Sequence, residues 1–312
     1  MGRVAVDCTR LAQGTDEMTN VLLFTGVALI WGTTWLAAKL QTGVVPVEIA
    51  LIYRMGGAGF LLFTWLSLRG QLHRLGTQDH GYLAALGLLM FGLNYQVAYL
   101  ALARLPSGVV ALLSSLLVPV NAMALRIVYG KPLEARVLAG AAFGIGGLCL
   151  IFARDLAALR MSYAEREGVV LVLVSLLVVA SGQMVAVRNG RSGIPAATAT
   201  AWGLLYGTGF LGLLALARGS IPIVDPSPQF VGSLLYLIGA GTIVVFWCYL
   251  TLLHRIGADR ASYVSVAYPV VALAVSTWFE GYTWSAAAAA GVVMVIAGNA
   301  VALWPAARLV EG

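Results

Sequence analysis

Ten long apolar runs dominate this sequence, and each is about long enough to cross a bilayer as a helix. They cover residues 21–41, 46–68, 81–102, 106–128, 133–152, 168–187, 195–217, 229–253, 257–279 and 284–304. Charged residues make up 10% of the chain, well below the roughly 25% of a typical soluble domain. A β-barrel would need strict alternation of apolar and polar residues, which residues 169–180 lack. Because lipid offers the backbone no hydrogen-bond partner, the runs are predicted to be transmembrane helices of an all-α membrane protein.

Two similar stretches stand 150 residues apart. Residues 99–119 read YLALARLPSGVVALLSSLLVP and residues 249–269 read YLTLLHRIGADRASYVSVAYP, with six of 21 aligned positions identical. At an offset of 149, Pro46 aligns with Pro195. The chain is therefore predicted to be a duplicated unit of about 150 residues.

This duplication predicts how the chain is divided. The first repeat spans residues 21–152 and the second residues 168–304, with residues 153–167 as a linker. Residues 1–20 are polar and aperiodic, which predicts a disordered tail, and residues 305–312 form a C-terminal tail.

Each repeat holds five runs, an odd number, so the two repeats must cross the membrane in opposite senses. Such an inverted pair can exchange conformations between its halves and open to either side in turn. The arrangement therefore predicts a secondary transporter that works by alternating access.

The distribution of Lys and Arg predicts the orientation. Twelve of the 19 basic residues lie on the side of the N-terminus and six lie on the other side. Cytoplasmic loops carry the excess of Lys and Arg, so both termini are predicted to be cytoplasmic.

Arg54 lies eight residues after Pro46 within the second run, roughly 12 Å deep at 1.5 Å per residue. A guanidinium in hydrocarbon costs at least about 2.5–3.5 kcal/mol, so Arg54 should face a wet cavity or a partner. It can bind a substrate carboxylate or phosphate through two hydrogen bonds. The alternatives are a structural arginine bonded to backbone carbonyls, or one that extends towards Glu48.

Polar and aromatic side chains at helical spacing predict a lined substrate cavity. These residues are Trp31, Thr34 and Trp35 in the first run, Tyr95, Gln96 and Tyr99 in the third, and Gln183 and Tyr249 at matching places of the second repeat. The alternative for the aromatic residues is packing against other helices or lipid.

The fourth and ninth runs each carry serine and proline on one helical face, Ser115 with Pro119, and Ser262 and Ser265 with Pro269. A proline inside a helix frees a carbonyl about four residues earlier. Matched interruptions in two repeats indicate a transport site near the middle of the membrane. The serines are therefore predicted to bind substrate and the prolines to act as hinges.

Small residues are frequent in the fifth run, at Gly140, Gly144 and Gly147, and in the tenth run, at Gly291 and Gly298. They predict close helix packing, either within one chain or between two chains of a homodimer.

Several functional classes find no support in the sequence. No phosphate-binding GxxxxGK[ST] motif occurs, the six aspartates lie in tails, in loops or, as Asp259 does, at the very end of a run, and there are only three histidines. We therefore predict no ATP-driven pump, no enzyme, and no cofactor or metal. No basic aromatic patch indicates nucleic acid, and the expected partners are a small-molecule substrate and the lipid bilayer. A channel and a non-transporting membrane sensor stay open as alternatives to a carrier, and so does the mode of energy coupling.

Four stretches together resemble the EamA-type members of the drug/metabolite transporter superfamily. They are WGTTWLAAKL (residues 31–40), the start of the second run with Pro46 and Arg54, SGVVALLSSLLVP (107–119) and GIGGLCLI (144–151). The resemblance covers nearly all of residues 21–304 as two copies of the EamA unit. It implies ten helices, cytoplasmic termini in a bacterial cytoplasmic (inner) membrane and, for many members, export of amino acids or other small metabolites.

The chain departs from the family pattern after the fourth run. Many members have Gly-Glu there in each unit, whereas this chain has Gly130-Lys131 in the first copy and Glu280-Gly281 in the second. The resemblance therefore carries no role for that glutamate into the first repeat.

Overall fold

The computed structural model describes residues 2–73, 75–157 and 162–303, and within these ranges it contains helices and no strand. In chain order the elements are α1 (Gly2–Lys39), α2 (Val47–Leu68), α3 (Thr77–Leu86), π1 (Gly87–Leu93), α4 (Asn94–Leu102), α5 (Ser107–Ser114), α6 (Leu117–Tyr129), α7 (Ala135–Ala157), α8 (Tyr163–Arg191), α9 (Ala196–Arg218), α10 (Pro228–Ile238), π2 (Gly239–Val244), α11 (Val245–Ile256), α12 (Ala258–Ala261), α13 (Val264–Glu280) and α14 (Ala286–Leu303). The prediction of an all-helical membrane protein is confirmed.

Eight helical segments of the described residues are long and apolar enough to cross a membrane. They are Glu17–Lys39, Val47–Leu68, Thr77–Leu102, Ser107–Tyr129, Tyr163–Arg191, Ala196–Arg218, Pro228–Leu253 and Ala286–Leu303. Two further apolar helices, Ala135–Ile151 and Val264–Glu280, are shorter and coincide with the fifth and ninth predicted runs. Large apolar side chains such as Leu68, Leu216 and Trp278 are more than three-quarters exposed, as lipid-facing residues are.

Helix α1 continues upstream of its apolar run through residues 2–20, the stretch for which the sequence predicts a disordered tail. No proline interrupts the chain between Gly2 and Lys39, so the helical hydrogen bonds can extend in that direction. Helix α7 continues to Ala157 and α8 begins at Tyr163. The middle of the predicted linker, residues 158–161, and the predicted C-terminal tail lie outside the described residues.

The two halves of the chain pack through equivalent helices. Helix α2 packs on α9, α5 on α13, and α7 on α14, so each of these pairs joins matching elements of the two halves. Helix α1 packs on α11 and α13, and its counterpart α8 packs in the same way on α4 and α6. Both halves therefore contribute equivalent helices to the interface between them.

The backbone is irregular at matching places in the two halves. A π-helical segment interrupts the third helix of each half, π1 between α3 and α4 and π2 between α10 and α11. The fourth helix of each half is broken as well, between α5 and α6 and between α12 and α13. Each break lies before the proline of its helix. Pro119 is in the first turn of α6, and the buried Pro269 is inside α13.

Close contact between α7 and α14 depends on glycine. A Cβ atom on Gly147 would lie 2.5 Å from the carbonyl oxygen of Gly291, and one on Gly298 would lie 2.6 Å from that of Gly140. The small-residue faces thus meet within one chain. A homodimer through the same helices stays a prediction.

Replacing Gly147 with alanine is expected to lower the free energy of unfolding by about 1–3 kcal/mol, because the added methyl group forces α7 away from α14. Thermal or denaturant unfolding of the purified protein in detergent measures the change. Gly212→Ala in α9 is the matched control, since nothing lies within 4 Å of its Cβ position. The control should leave stability unchanged or raise it by up to about 1 kcal/mol through helix propensity. Equal effects of the two substitutions would contradict the packing argument.

Candidate site: a cavity between the two halves

A cavity of about 500 Å³ lies between the two halves of the chain. Its walls come from α1, α2, the segment from α3 to α4, the break between α5 and α6, and from α8, α9, π2, α11 and α13. Of the residues predicted to bind substrate, six line this cavity: Trp31, Thr34, Trp35, Arg54, Tyr95 and Tyr99. A cavity of this size between transmembrane helices suits a small organic ligand.

Arg54 is buried at the wall of the cavity, with 5% of its surface exposed. Its Nη1 donates a hydrogen bond of 2.9 Å to the hydroxyl of Tyr99, which in turn donates one of 2.8 Å to Oε1 of Gln41. The guanidinium also lies 4.9 Å from the centre of the Tyr95 ring, within the range of a cation–π interaction. Two tyrosines thus hold the arginine in place against the cavity.

No carboxylate of the described residues lies within ion-pair distance of Arg54. The oxygens of Glu48 bind other partners, so the guanidinium does not extend towards that residue. Arg54 is also the one charged side chain among the described residues that line the cavity. The cavity therefore carries a single positive charge in a low-dielectric environment.

An aromatic cluster around Trp31 forms another part of the cavity wall. The Trp31 ring lies 5.0 Å from that of Tyr249 and 6.4 Å from those of Phe246 and Tyr268, centre to centre. Phe246 and Tyr268 line the cavity beside Trp31 and Trp35, whereas Tyr249 packs behind Trp31. The predicted contribution of Tyr249 is thus an indirect one in this structure, through the position of Trp31.

Gln96, Gln183 and Ser115 lie away from the cavity walls. The Gln96 side chain points along α4 to Glu48, to which its Nε2 donates a hydrogen bond of 3.2 Å. Gln183 accepts a hydrogen bond from Asn121 across the contact between α6 and α8. Ser115 is buried and donates to the carbonyl of Leu112 at 2.6 Å.

Ser262 and Ser265 stand at the break that precedes α13 and are not part of the cavity wall. The hydroxyl of Ser265 donates to the carbonyl of Ser262 at 2.7 Å. The same carbonyl also accepts the backbone N–H of Ser265 at 2.9 Å, so both donors of Ser265 bind at the break. In this structure the two serines stabilise the break instead of facing a ligand.

Several cavity residues were missed by sequence reasoning. They include Ser114, Ser175, Thr200 and Asn189, together with Met90 and Phe91 of π1. Ser175 stands alone in a strongly apolar run, and nothing in its spacing distinguishes it from a packing residue. A π-helical turn has no composition signal of its own. Helical spacing therefore could not predict which residues of π1 face the cavity.

Glu48, in the first turn of α2, is buried, with 4% of its surface exposed. It accepts hydrogen bonds from Gln96 of the first half and from Ser220 of the second, and Nη1 of Arg218 lies 3.5 Å from its Oε2. These four residues are termed the Glu48 cluster. The cluster joins α2 and α4 to the end of α9.

Glu280, the last residue of α13, forms a second cluster with residues of the first half. Its Oε1 lies 2.7 Å from Nζ of Lys39, and its Oε2 accepts a hydrogen bond of 2.9 Å from the backbone N–H of Ser107. The Ser107 hydroxyl donates to the same oxygen. This Glu280 cluster joins α13 to the end of α1 and to the start of α5.

Both clusters lie at the same end of the molecule, termed the carboxylate end. Lys39 ends α1 and Glu48 lies in the first turn of α2, and the short segment between them connects the two helices. Arg104, just after α4, forms an ion pair of 2.7 Å with Glu167 near the start of α8. Since α4 leads directly into α5 and Ser107, the start of α8 also lies at the carboxylate end.

The cavity reaches the protein surface at the opposite end. Arg188 near the end of α8 forms an ion pair of 3.1 Å with Asp79 at the start of α3, so these helix ends lie together, far from the carboxylate end. Gly190 and Ala196, at the connection from α8 to α9, are exposed and line the cavity. The cavity is therefore accessible from one end of the molecule, and the two carboxylate clusters stand at the other.

Tyr99→Phe is expected to lower the free energy of unfolding by about 1–3 kcal/mol, because it removes the partner of both Arg54 and Gln41 at a position only 1% exposed. Unfolding of the purified protein in detergent measures the loss. Tyr163→Phe serves as the control, since Tyr163 is 84% exposed at the start of α8. A Tyr99→Phe variant as stable as the control would show that the hydroxyl does not hold Arg54.

Comparison with known proteins identifies the class of protein that this architecture represents. Residues 18–153 and 166–304 each match the EamA-like transporter family, so the two matches follow the two halves of the fold. The protein belongs to the EamA-like transporter family, a family of membrane transporters. The resemblance inferred from the sequence motifs is confirmed.

Two individual proteins are similar to this chain. Protein PecM of Dickeya dadantii (strain 3937) is 27% identical over 278 residues, which cover 85% of this chain and 86% of PecM. A solved crystal structure is similar with a TM-score of 0.62 at 18% identity and covers 94% of this chain and 99% of its own. At that identity the structural likeness bears on the fold.

Proposed function

We propose that the protein is a secondary transporter that moves small amphipathic metabolites across a bacterial cytoplasmic membrane, in the direction of export, by alternating access. The observation that carries this proposal is the cavity between the two halves, which reaches the surface at one end while the Glu48 and Glu280 clusters stand at the other. Such a cavity suits a carrier, because a carrier must never be open to both sides at once.

The proposed topology has ten transmembrane helices in two inverted five-helix repeats. It is supported by the reciprocal packing of equivalent helices and by the matching π-helical segments and helix breaks. The two shorter apolar helices, which include α13, provide the fifth and ninth spans. With both termini in the cytoplasm, as the excess of Lys and Arg favours, the cavity is open to the cytoplasm and the carboxylate end faces outwards.

In this mechanism the Glu48 and Glu280 clusters form the outer gate. Each cluster links one half to the other, so both must separate before the cavity can open at the carboxylate end. The two carboxylates are nearly buried, so separating either one from its cation leaves a charge that is costly in a low-dielectric site. The gate therefore stabilises the conformation that is open to the cytoplasm.

The transport proposal is tested in two stages. Metabolites are compared between cells with and without the protein, and a compound whose distribution changes is then labelled and used in counterflow with proteoliposomes. We expect saturable uptake that unlabelled compound on the opposite side accelerates, because a carrier exchanges its two open states through the loaded form. Flux without saturation or acceleration would indicate a channel, and no flux would indicate a non-transporting protein.

The outer gate predicts a change in accessibility. In a background with all cysteines replaced by serine, Ala38→Cys places a thiol in the cavity wall. Combining it with Glu280→Gln, which breaks the ion pair with Lys39, is expected to raise labelling by an impermeant maleimide from outside by about tenfold. The measurement is the labelling rate in intact cells.

Asp79→Asn is the matched control for this experiment, because it breaks the ion pair with Arg188 at the opposite end of the molecule. It should not raise labelling from outside. Equal labelling rates in the Glu280→Gln and Asp79→Asn backgrounds would refute the outer gate.

A further inference from the structure

We propose that the cavity binds a small organic acid, with its carboxylate on Arg54 and its apolar or aromatic body against the ring cluster around Trp31. This inference rests on the proposed transport function, because it names the class of substrate for the same cavity. It goes further by assigning each part of the ligand to a wall of the cavity.

The charge of the cavity determines which end of a ligand binds where. Arg54 is the one charged side chain among the described cavity residues, and it has no carboxylate partner within 4.0 Å in the described structure. A buried cation without a counter-ion is costly, and a ligand carboxylate would offset that cost. A ligand cation would instead add to the positive charge, so organic amines without an acid group are disfavoured.

Arg54 is fixed in position and still has free donors. Its guanidinium carries five N–H groups, of which the described residues accept one, at the Tyr99 hydroxyl. Its buried Nε has no hydrogen-bond partner among these residues. Tyr99 is itself anchored by Gln41, so the arginine does not need to reorganise in order to bind an anion.

A single negative charge fits the site better than two. One guanidinium balances one carboxylate, whereas a phosphate dianion would leave an unpaired charge inside the membrane. The sequence alone allowed either a carboxylate or a phosphate at Arg54. The presence of one cationic residue among the described residues of the cavity wall favours the carboxylate.

The remaining walls are suited to the body of the ligand. Trp31 and Trp35 offer flat apolar faces, and Phe246 and Tyr268 continue the same wall. Such rings bind aromatic or unsaturated groups through offset or edge-to-face contact.

Hydroxyl groups of the cavity can accept hydrogen bonds from a ligand. Those of Thr34, Ser175 and Thr242 donate to backbone carbonyls at 2.6, 2.9 and 2.8 Å, which leaves their oxygen lone pairs as acceptors. An amino group on the ligand can meet these oxygens. The shared chemistry of the class is therefore a carboxylate attached to an apolar or aromatic body, and both simple acids and amino acids possess it.

Four probes with one ring separate these chemistries. Phenylacetate is an anion, phenylacetamide its neutral analogue, phenylethylamine a cation, and phenylalanine a zwitterion. Dissociation constants are measured with the full-length protein in detergent, by equilibrium dialysis of labelled phenylacetate and competition by the others. We expect phenylacetate to bind at least about tenfold more tightly than phenylacetamide and phenylethylamine, the typical effect of a charge-assisted hydrogen bond. Phenylalanine that binds more tightly than phenylacetate would assign the site to amino acids, and the reverse order to simple acids.

Arg54→Gln is expected to weaken phenylacetate binding by about 10-fold to 100-fold and to abolish the preference for the acid over the amide. Arg54→Lys keeps the charge and should keep the preference with reduced affinity, which covers the case in which the glutamine variant does not fold. Arg104→Gln is the matched control, because it removes an arginine that pairs with Glu167 outside the cavity. Thermal unfolding of each variant verifies folding.

The inference is overturned if phenylacetate does not bind, if acid and amide bind equally, or if Arg54→Gln folds and binds phenylacetate as the Arg104→Gln control does. These results are separate from the transport test. Saturable counterflow of a neutral or cationic compound would support the carrier while refuting the organic-acid site. An acid-selective, Arg54-dependent site in a protein without flux would do the opposite.

Discussion

The backbone of this protein lies in a solvent that cannot hydrogen-bond to it, and the rest of the structure depends on that constraint. Hydrocarbon forces every exposed stretch into helix, so irregular backbone can occur only where other protein groups or a cavity surround it. The two π-helical segments and the two broken helices follow this rule, because they lie where the halves meet. The same places that relax the helix are therefore the places where a ligand can approach.

The charged side chains at the interface between the halves differ in the partners that they have. The two carboxylates, buried Glu48 and nearly buried Glu280, have cationic and hydroxyl partners, and each draws those partners from the other half of the chain. Among the described residues, Arg54 has tyrosine partners and no acid. Paired charges thus hold the halves together at one end, and the unmatched charge lies at the wall of the cavity. This contrast separates residues that maintain a conformation from a residue suited to recognise a ligand.

Sequence reasoning identified what depends on composition and duplication. Apolar runs revealed the helices, the repeat revealed the two halves, and the depth of Arg54 marked the cavity. Sequence reasoning was less accurate where a rotation of less than one helical turn decides which way a side chain points. Gln96 lies one residue from Tyr95, and that rotation of about 100° directs its side chain to Glu48 and away from the cavity. Side chains at helix breaks, such as Ser265, can bind a nearby backbone carbonyl instead of a ligand, which spacing alone does not reveal.

The π-helical segment in the third helix of each half has a geometric consequence. A π turn closes its hydrogen bond over five residues instead of four, so it accommodates one residue more than the α-helical turns on either side. Residues before and after Gly87–Leu93 therefore follow different angular phases. A single helical wheel drawn from Thr77 to Leu102 cannot describe both parts at once. The duplicated unit carries this phase shift in both copies, which makes it as much a part of the inherited fold as the helices it interrupts.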